Sequence, residues 1–304
     1  RIPEIFAHSL AACNGAHDRI LAFQRHRRNT GPPKPACAYL STNVPADNPM
    51  LRSIIFAVVF YVNTALFLVV GLPLLLGPRR WAMMGLKAHA HTSLFWLRLI
   101  VGTKIEVRGR EHMPSPPVLV VAKHQSAWDT FALITLFNDP AMVMKAELGW
   151  IPFYGWFSHK FQHIFVKRER GPSALKRLIR DARDRTAAGR EIVIFPEGTR
   201  RAPGAPPDYK PGVVALYEGL DVPCVPLALN SGLFWPRRRM ERYAGTIVVE
   251  FLEHIPPDLP RAAFRKVIQD RIETATARLI AEARANDPTL PGAARPPAEG
   301  RATA

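Results

Sequence analysis

Cysteine is scarce in this sequence: 304 residues hold only Cys13, Cys37 and Cys224. An odd, scattered trio builds neither a disulfide framework nor a paired zinc-ligand site, so a reduced, cytosol-facing protein fits best. Acidic side chains are also in deficit, with 25 Asp and Glu against 41 Lys and Arg and a formal charge of +16. That balance favours anionic partners, meaning nucleic acid, acidic lipid or phosphorylated substrate. Nucleic-acid motifs and stacking platforms are missing, which sets nucleic acid aside, even for the basic stretch "WPRRRMER". No Gly-x-Ser-x-Gly elbow occurs, and Cys224 lies in an apolar run without a His nearby in sequence, so nothing marks a covalent nucleophile. His159 and His163 in "HKFQH" have a helical zinc spacing, but no acidic residue accompanies them. No internal repeat is visible.

What is present begins with a change of texture. Residues 1–49 are Pro-rich and poorly apolar, the chain opens on Arg1, and Met50 starts "MLRSIIFAVVF". Residues 1–49 are therefore expected to be a disordered leader or a mis-assigned start. From Ser53 to Pro78, 26 residues carry no charge. At about 1.5 Å per residue, an unbroken helix of that length exceeds the ~30 Å hydrocarbon core of a bilayer. A cleaved signal peptide does not fit, because Arg79, Arg80 and Trp81 follow where small residues are wanted. Asn63 and Pro73 interrupt the run, and a second apolar stretch, "HTSLFWLRLIVG", follows from His91 to Gly102. Residues 50–102 are read as a membrane-anchoring helical hairpin that spans the bilayer or dips into one leaflet.

From Thr103 onward the pattern alternates. Strand-like runs appear at "KIEVRG", "VLVVAKH", "AMVMKAEL", "IFVKR", "EIVIFPEG", "CVPLAL" and "TIVVEFLE". A helix is expected from about Ser173, with apolar positions at Leu175, Leu178, Ile179 and Ala182 and a stop at Gly189. Another is expected from Arg261 to Ala285. The spacing predicts an α/β domain over 103–285 with a mixed, largely parallel sheet flanked by helices, then a disordered tail over 286–304.

The chemistry concentrates at strand ends. "VLVVA" delivers Lys123 and His124, and Asp129 follows within reach of a helix's first turn. A carboxylate on one imidazole nitrogen fixes the tautomer and supports the charge that develops when the other accepts a proton. A structural histidine beside a capping aspartate has the same spacing. "IFPEGTRR" presents Glu197, Gly198, Thr199 and Arg200 after another strand, where glycine permits close approach and arginine matches phosphate oxygens. Lys145 and Arg168 end two further strand-like runs. A base beside several cations on one rim points to a reaction at the hydroxyl of a phosphorylated substrate.

These residues carry a resemblance. The sequence is similar to the glycerolipid acyltransferase family, most closely its bacterial 1-acyl-glycerol-3-phosphate acyltransferases. The family's His, four residues, Asp motif matches His124 and Asp129, and its Phe-Ile-x-Arg type matches "FVKR", which brings in Arg168. Phe-Pro-Glu-Gly-Thr-Arg is matched in full by Phe195 to Arg200. A proline-containing apolar strand resembles "VPCVPLAL" and places Pro226 as an acyl-chain or structural residue. "KAELGWIPFYG" and "KPG" have counterparts as well. The resemblance covers roughly residues 51–255. Two departures stand out: Lys123 where the family often has Asn, and Gln162 where its second motif usually opens with Gly.

The resemblance implies that His124 deprotonates the sn-2 hydroxyl of lysophosphatidic acid while Asp129 orients it. Lys145, Arg168 and Arg200 would hold the acceptor's phosphate, and Glu197 would order the loop or contact the glycerol. Acyl-CoA or acyl-carrier protein is implied as co-substrate, with no cofactor and no metal. The implied partners are a lysophospholipid and a membrane surface, at a bacterial-type inner membrane with the catalytic domain facing the cytoplasm. Another lysolipid, lyso-ornithine lipid or glycerol-3-phosphate is an alternative acceptor, and non-catalytic binding of lipid phosphate is the more distant reading.

Overall fold

The computed structural model describes residues 48–167 and 171–291. The expectations for the leader (apart from its last two residues), for Arg168 and for the tail beyond 291 lie outside the described residues.

Helix α1 (Pro49–Val70) starts on a capping interaction, Asn48 accepting from the amides of Met50 and Leu51. Proline sits at its first position, where a missing N–H costs nothing. The uncharged run is not one helix. It breaks at Gly71 into a 3₁₀ turn over Leu72–Leu75 that contains Pro73, because proline cannot extend an α-helix interior. Helix α2 (Arg79–Trp96) then returns along α1, starting well before the apolar stretch expected from His91, and ends in a wide π turn over Leu97–Val101. Only α1, among the described residues, is long and apolar enough to cross a membrane. Asn63 does not interrupt it. Its side-chain amide donates to Thr92 and Ser93 at 3.2 and 3.0 Å and so joins the two helices.

The chain continues into β1 (Thr103–Arg108), β2 (Val118–Ala122) and the short helix α3 (Trp128–Ala132). Then come β3 (Ala141–Lys145), α4 (Tyr154–Lys160), β4 (Ile164–Val166), α5 (Gly171–Ala187) and β5 (Glu191–Ile194). The last elements are α6 (Pro211–Leu220), β6 (Cys224–Leu229), α7 (Ser231–Phe234), β7 (Gly245–Phe251) and α8 (Arg261–Asn286). The seven strands form one mixed sheet in the order β1-β7-β6-β2-β5-β3-β4. The five strands from β6 to β4 are parallel, and β7 pairs antiparallel to β6 while β1 follows β7.

Strand β2 is buried along its whole length, as a central parallel strand must be. Its alternate residues feed two cores. Val118, Val120 and Ala122 face a cluster with Phe56 of α1 and Trp128, whereas Leu119 and Val121 face one with Leu178, Val213 and Phe264. The hairpin and α3 thus cover one face, α5 and α6 the other, and α8 runs from the second cluster at Phe264 to the first at Ile280. Leu290, within the stretch expected to be tail, is buried in the first cluster.

Gln162 adopts φ 58°, a left-handed conformation that glycine takes without cost. The departure from glycine therefore carries strain of about 1–2 kcal/mol, against roughly 0.5–1 kcal/mol for glycine's extra freedom in the unfolded chain. Gln162→Gly is expected to raise stability by up to ~1 kcal/mol, read from the urea midpoint. A lower midpoint would mean that the glutamine side chain makes contacts worth more than the strain.

Candidate active site

The parallel strands all end at one edge of the sheet, the edge where open α/β sheets bind ligands. β2 delivers His124 there, β5 the loop Phe195–Arg200, β3 Lys145, and β6 Asn230 and Ser231. Asp129 lies in the first turn of α3 and is fully buried. Its Oδ2 is 2.9 Å from His124 Nδ1 and also accepts from the amides of Gln125 and Ser126, at 2.8 and 2.9 Å. Its Oδ1 accepts from Ser231 Oγ at 2.5 Å. Four contacts hold one carboxylate in a single orientation, so the imidazole is fixed in turn.

His124 stacks on Phe195 with ring centroids 4.0 Å apart. With Nδ1 committed to Asp129, Nε2 has no hydrogen-bond partner among the described residues, and the ring lines a cavity of about 960 Å³. Lys145, Arg200 and Lys210 supply cations to the same cavity. Lys145 and Lys210 have carboxylate neighbours, Glu147 at 3.3 Å and Asp208 at 2.7 Å. Arg200 has no acidic partner among the described residues, and Arg237 donates to its backbone carbonyl at 2.7 Å. Lys167 borders the cavity as well, and Ile134, Leu178 and Val213 contribute apolar wall. Gly198 also borders the cavity, at φ 61°, in a turn closed by its amide on the Phe195 carbonyl at 3.0 Å. A base, cations and an apolar wall suit an amphiphile with an anionic head.

Three expected site residues stand elsewhere. Thr199 does not line the cavity. Pro226 is buried in β6 in register with Val121, its carbonyl accepting from Leu252 at 2.9 Å, which is a place in the sheet and not in the cavity. Glu197 is 1% exposed and turns away from the cavity toward Lys123, so of its two expected roles the geometry favours ordering the loop over touching glycerol. Burial raises the Glu197 carboxyl, and Lys123 opposes that shift.

Lys123 explains its own departure from the family pattern. It is 2% exposed and donates to Glu197 at 2.8 Å and to both oxygens of Glu273 on α8, at 2.7 and 3.0 Å. The Tyr209 hydroxyl also donates to Glu273, at 3.0 Å. The third-motif loop is thereby tied through one buried ammonium to the strand carrying His124 and to the C-terminal helix. Neither Glu273 nor Ser231 appeared among the sequence candidates. Ser231 had a visible signal, a polar residue just past the end of a central parallel strand, whereas Glu273 had none. At the cavity wall, His163 Nδ1 accepts from the Met142 amide at 3.2 Å, and burial holds its ring down to about 3, which makes it a neutral group.

Residues 104–230 match the family model for Acyltransferase. This segment belongs to the acyltransferase family. It is 36% identical over 170 residues to a 1-acyl-sn-glycerol-3-phosphate acyltransferase of Pseudomonas aeruginosa, covering 55% of this chain and 66% of that one. With the human 1-acyl-sn-glycerol-3-phosphate acyltransferase alpha it shares 28% over 168 residues, 54% of this chain and 59% of the other. The chain spans about two thirds or less of the length of these relatives. Its fold is similar to the crystal structure of the 1-acyl-sn-glycerophosphate (LPA) acyltransferase PlsC from Thermotoga maritima, with a TM-score of 0.65 at 21% identity, over 77% of this chain and 98% of that one. The acyltransferase match begins in β1 and stops just short of Ser231, so Asp129 Oδ1 and Lys123 each draw a partner from beyond it.

Proposed function

We propose that the chain transfers a fatty acyl group from acyl-CoA or acyl-carrier protein to the sn-2 hydroxyl of lysophosphatidic acid, giving phosphatidic acid. The observation that carries this reading is the His124–Asp129 pair at 2.9 Å in the wall of a cavity that also holds Lys145 and Arg200. His124 Nε2 accepts the hydroxyl proton as the oxygen attacks the thioester carbonyl. Asp129 keeps Nδ1 protonated and supports the imidazolium. Collapse of the tetrahedral intermediate expels the thiolate, which takes the proton from His124, so no covalent acyl-enzyme forms. Lys145 and Arg200 hold the acceptor's phosphate, and Arg168 is assigned to the same anion on the family motif alone. The apolar helix α1 and the lysolipid acceptor in the names of the relatives support action at a membrane. We place the enzyme at a bacterial-type inner membrane, facing the cytoplasm.

An acyl-transfer assay on the full chain tests the reading, with lysophosphatidic acid, other lysolipids and glycerol-3-phosphate each offered against both donors. Transfer to lysophosphatidic acid above the other acceptors is the expected result, and preference for another acceptor would replace it. Arg200→Ala is expected to raise the KM for lysophosphatidic acid, by on the order of tenfold or more for a lost charge-assisted contact. A raised KM for the acyl donor with unchanged acceptor kinetics would move Arg200 to the other substrate.

A further inference from the structure

The segment Ala146–Trp156, which runs from the end of β3 into the first turn of α4, presents an unusual surface. Trp150 is 82% exposed, Trp156 52% and Ile151 46%, with Phe153 and Tyr154 also exposed. Such a run of large apolar side chains is not loose. Gly149 and Gly155 lie so close that a Cβ on Gly155 would stand 2.2 Å from the Gly149 carbonyl oxygen. The Gly155 amide bonds the Ile151 carbonyl at 2.7 Å, and Phe153 is held at φ 61°, a backbone conformation unfavourable for an aromatic residue. A strained, tightly closed backbone that points aromatic rings outward is a feature the fold maintains at a cost.

Its position says what the rings meet. Phe157 of α4 and Phe161 just past its end pack with Ala82, Met83 and the leucines of the 3₁₀ turn, so the segment is fastened to the bend of the hairpin. That bend exposes Leu76, Trp81 and Met84, and the outer face of α1 continues with Val58, Val62 and Leu66. The aromatic segment therefore extends the apolar surface of α1, the helix that among the described residues is long and apolar enough to cross a bilayer. Trp and Tyr at the edge of such a surface suit the headgroup layer, where one part of the ring is dry and the other wet. The same segment also supplies Leu148 and Tyr154 to the cavity wall, and α2 supplies Leu86.

We propose that Ala146–Trp156 is a second membrane-contact element, distinct from the hairpin, whose Trp150, Ile151, Phe153 and Trp156 seat in the headgroup layer of a phospholipid bilayer and hold the cavity mouth against it. The lysolipid acceptor then enters sideways from the lipid without crossing water. This rests on the lysolipid reading of the cavity, but its first test does not need turnover.

The full chain is bound to vesicles of phosphatidylethanolamine and phosphatidylglycerol with brominated acyl chains, and tryptophan emission is compared with that of W150F/W156F. Removing the two rings should lower the fraction of emission quenched by bromine. An unchanged or higher fraction puts them in water or under a protein partner and overturns the proposal. In the second test, W150S/W156S should lose on the order of tenfold in activity toward acceptor embedded in vesicles, as buried apolar contact with the interface is lost. It should keep its activity toward acceptor dispersed in detergent. Equal loss in both assays would mean a structural role and would also overturn the proposal. A wild-type chain inactive toward every lysolipid would instead sink the lysolipid reading, while the quenching result would still decide the membrane contact.

Discussion

His124→Ala is expected to lower acyl transfer by on the order of 10²–10⁴-fold or more, the contribution of a positioned general base. The ring is 9% exposed and its outward nitrogen borders the cavity, so the change removes the base and leaves Asp129 its two backbone amides and Ser231. Expression, urea midpoint and membrane association should hardly move. Turnover close to wild type in the purified variant would remove His124 from the chemistry. Asp129→Asn provides the companion measurement, a large but smaller loss, because the amide keeps the shape and gives up the charge that supports the imidazolium.

The second large effect concerns stability. Lys123→Met leaves Glu197 buried with its cation gone, and removing one partner from a buried pair typically costs about 3–5 kcal/mol. Glu273, at 26% side-chain exposure, can turn toward water, whereas Glu197, at 0%, cannot. Glu273→Gln is therefore expected to cost less than Lys123→Met. Adding E197Q to Lys123→Met should recover part of the loss by neutralising the stranded carboxylate. Urea denaturation of the three variants measures this order. A Lys123→Met cost below about 1 kcal/mol would show that the network is not a buried ion pair of the usual kind.

The strands were legible because each is a short β-rich apolar run bounded by turn residues, and all seven runs from "KIEVRG" to "TIVVEFLE" became strands of one sheet. The last helix was legible because Phe264, Ile268, Ile272 and Leu279 recur at helical spacing, and these four are buried. The place of His124 and Asp129 could be read because both lie within one strand-to-helix turn, five residues apart. What escaped was long-range. Lys123 meets its carboxylates across 74 and 150 residues, and Ser231 reaches Asp129 across 102, separations over which no local pattern carries information. The end of α1 was misjudged for a different reason. Absence of charge measures suitability for lipid, but a helix stops where its backbone cannot continue, and Gly71 with Pro73 decides that at Val70.

The pairing of β1 with β7 bears on how the molecule is made. Thr103 bonds the Tyr243 carbonyl 140 residues away, and Lys123 receives Glu273 later still. At translation rates of roughly 5–20 residues per second, the hairpin leaves the ribosome on the order of ten seconds before the sheet edge beside it can close. During that interval β1 has no neighbour, and the ammonium at the end of β2 lacks Glu273 throughout and Glu197 for the first part. Where the hairpin inserts early, the catalytic domain completes its fold on a chain already tethered at the bilayer, and the last helix to emerge locks the active-site loop.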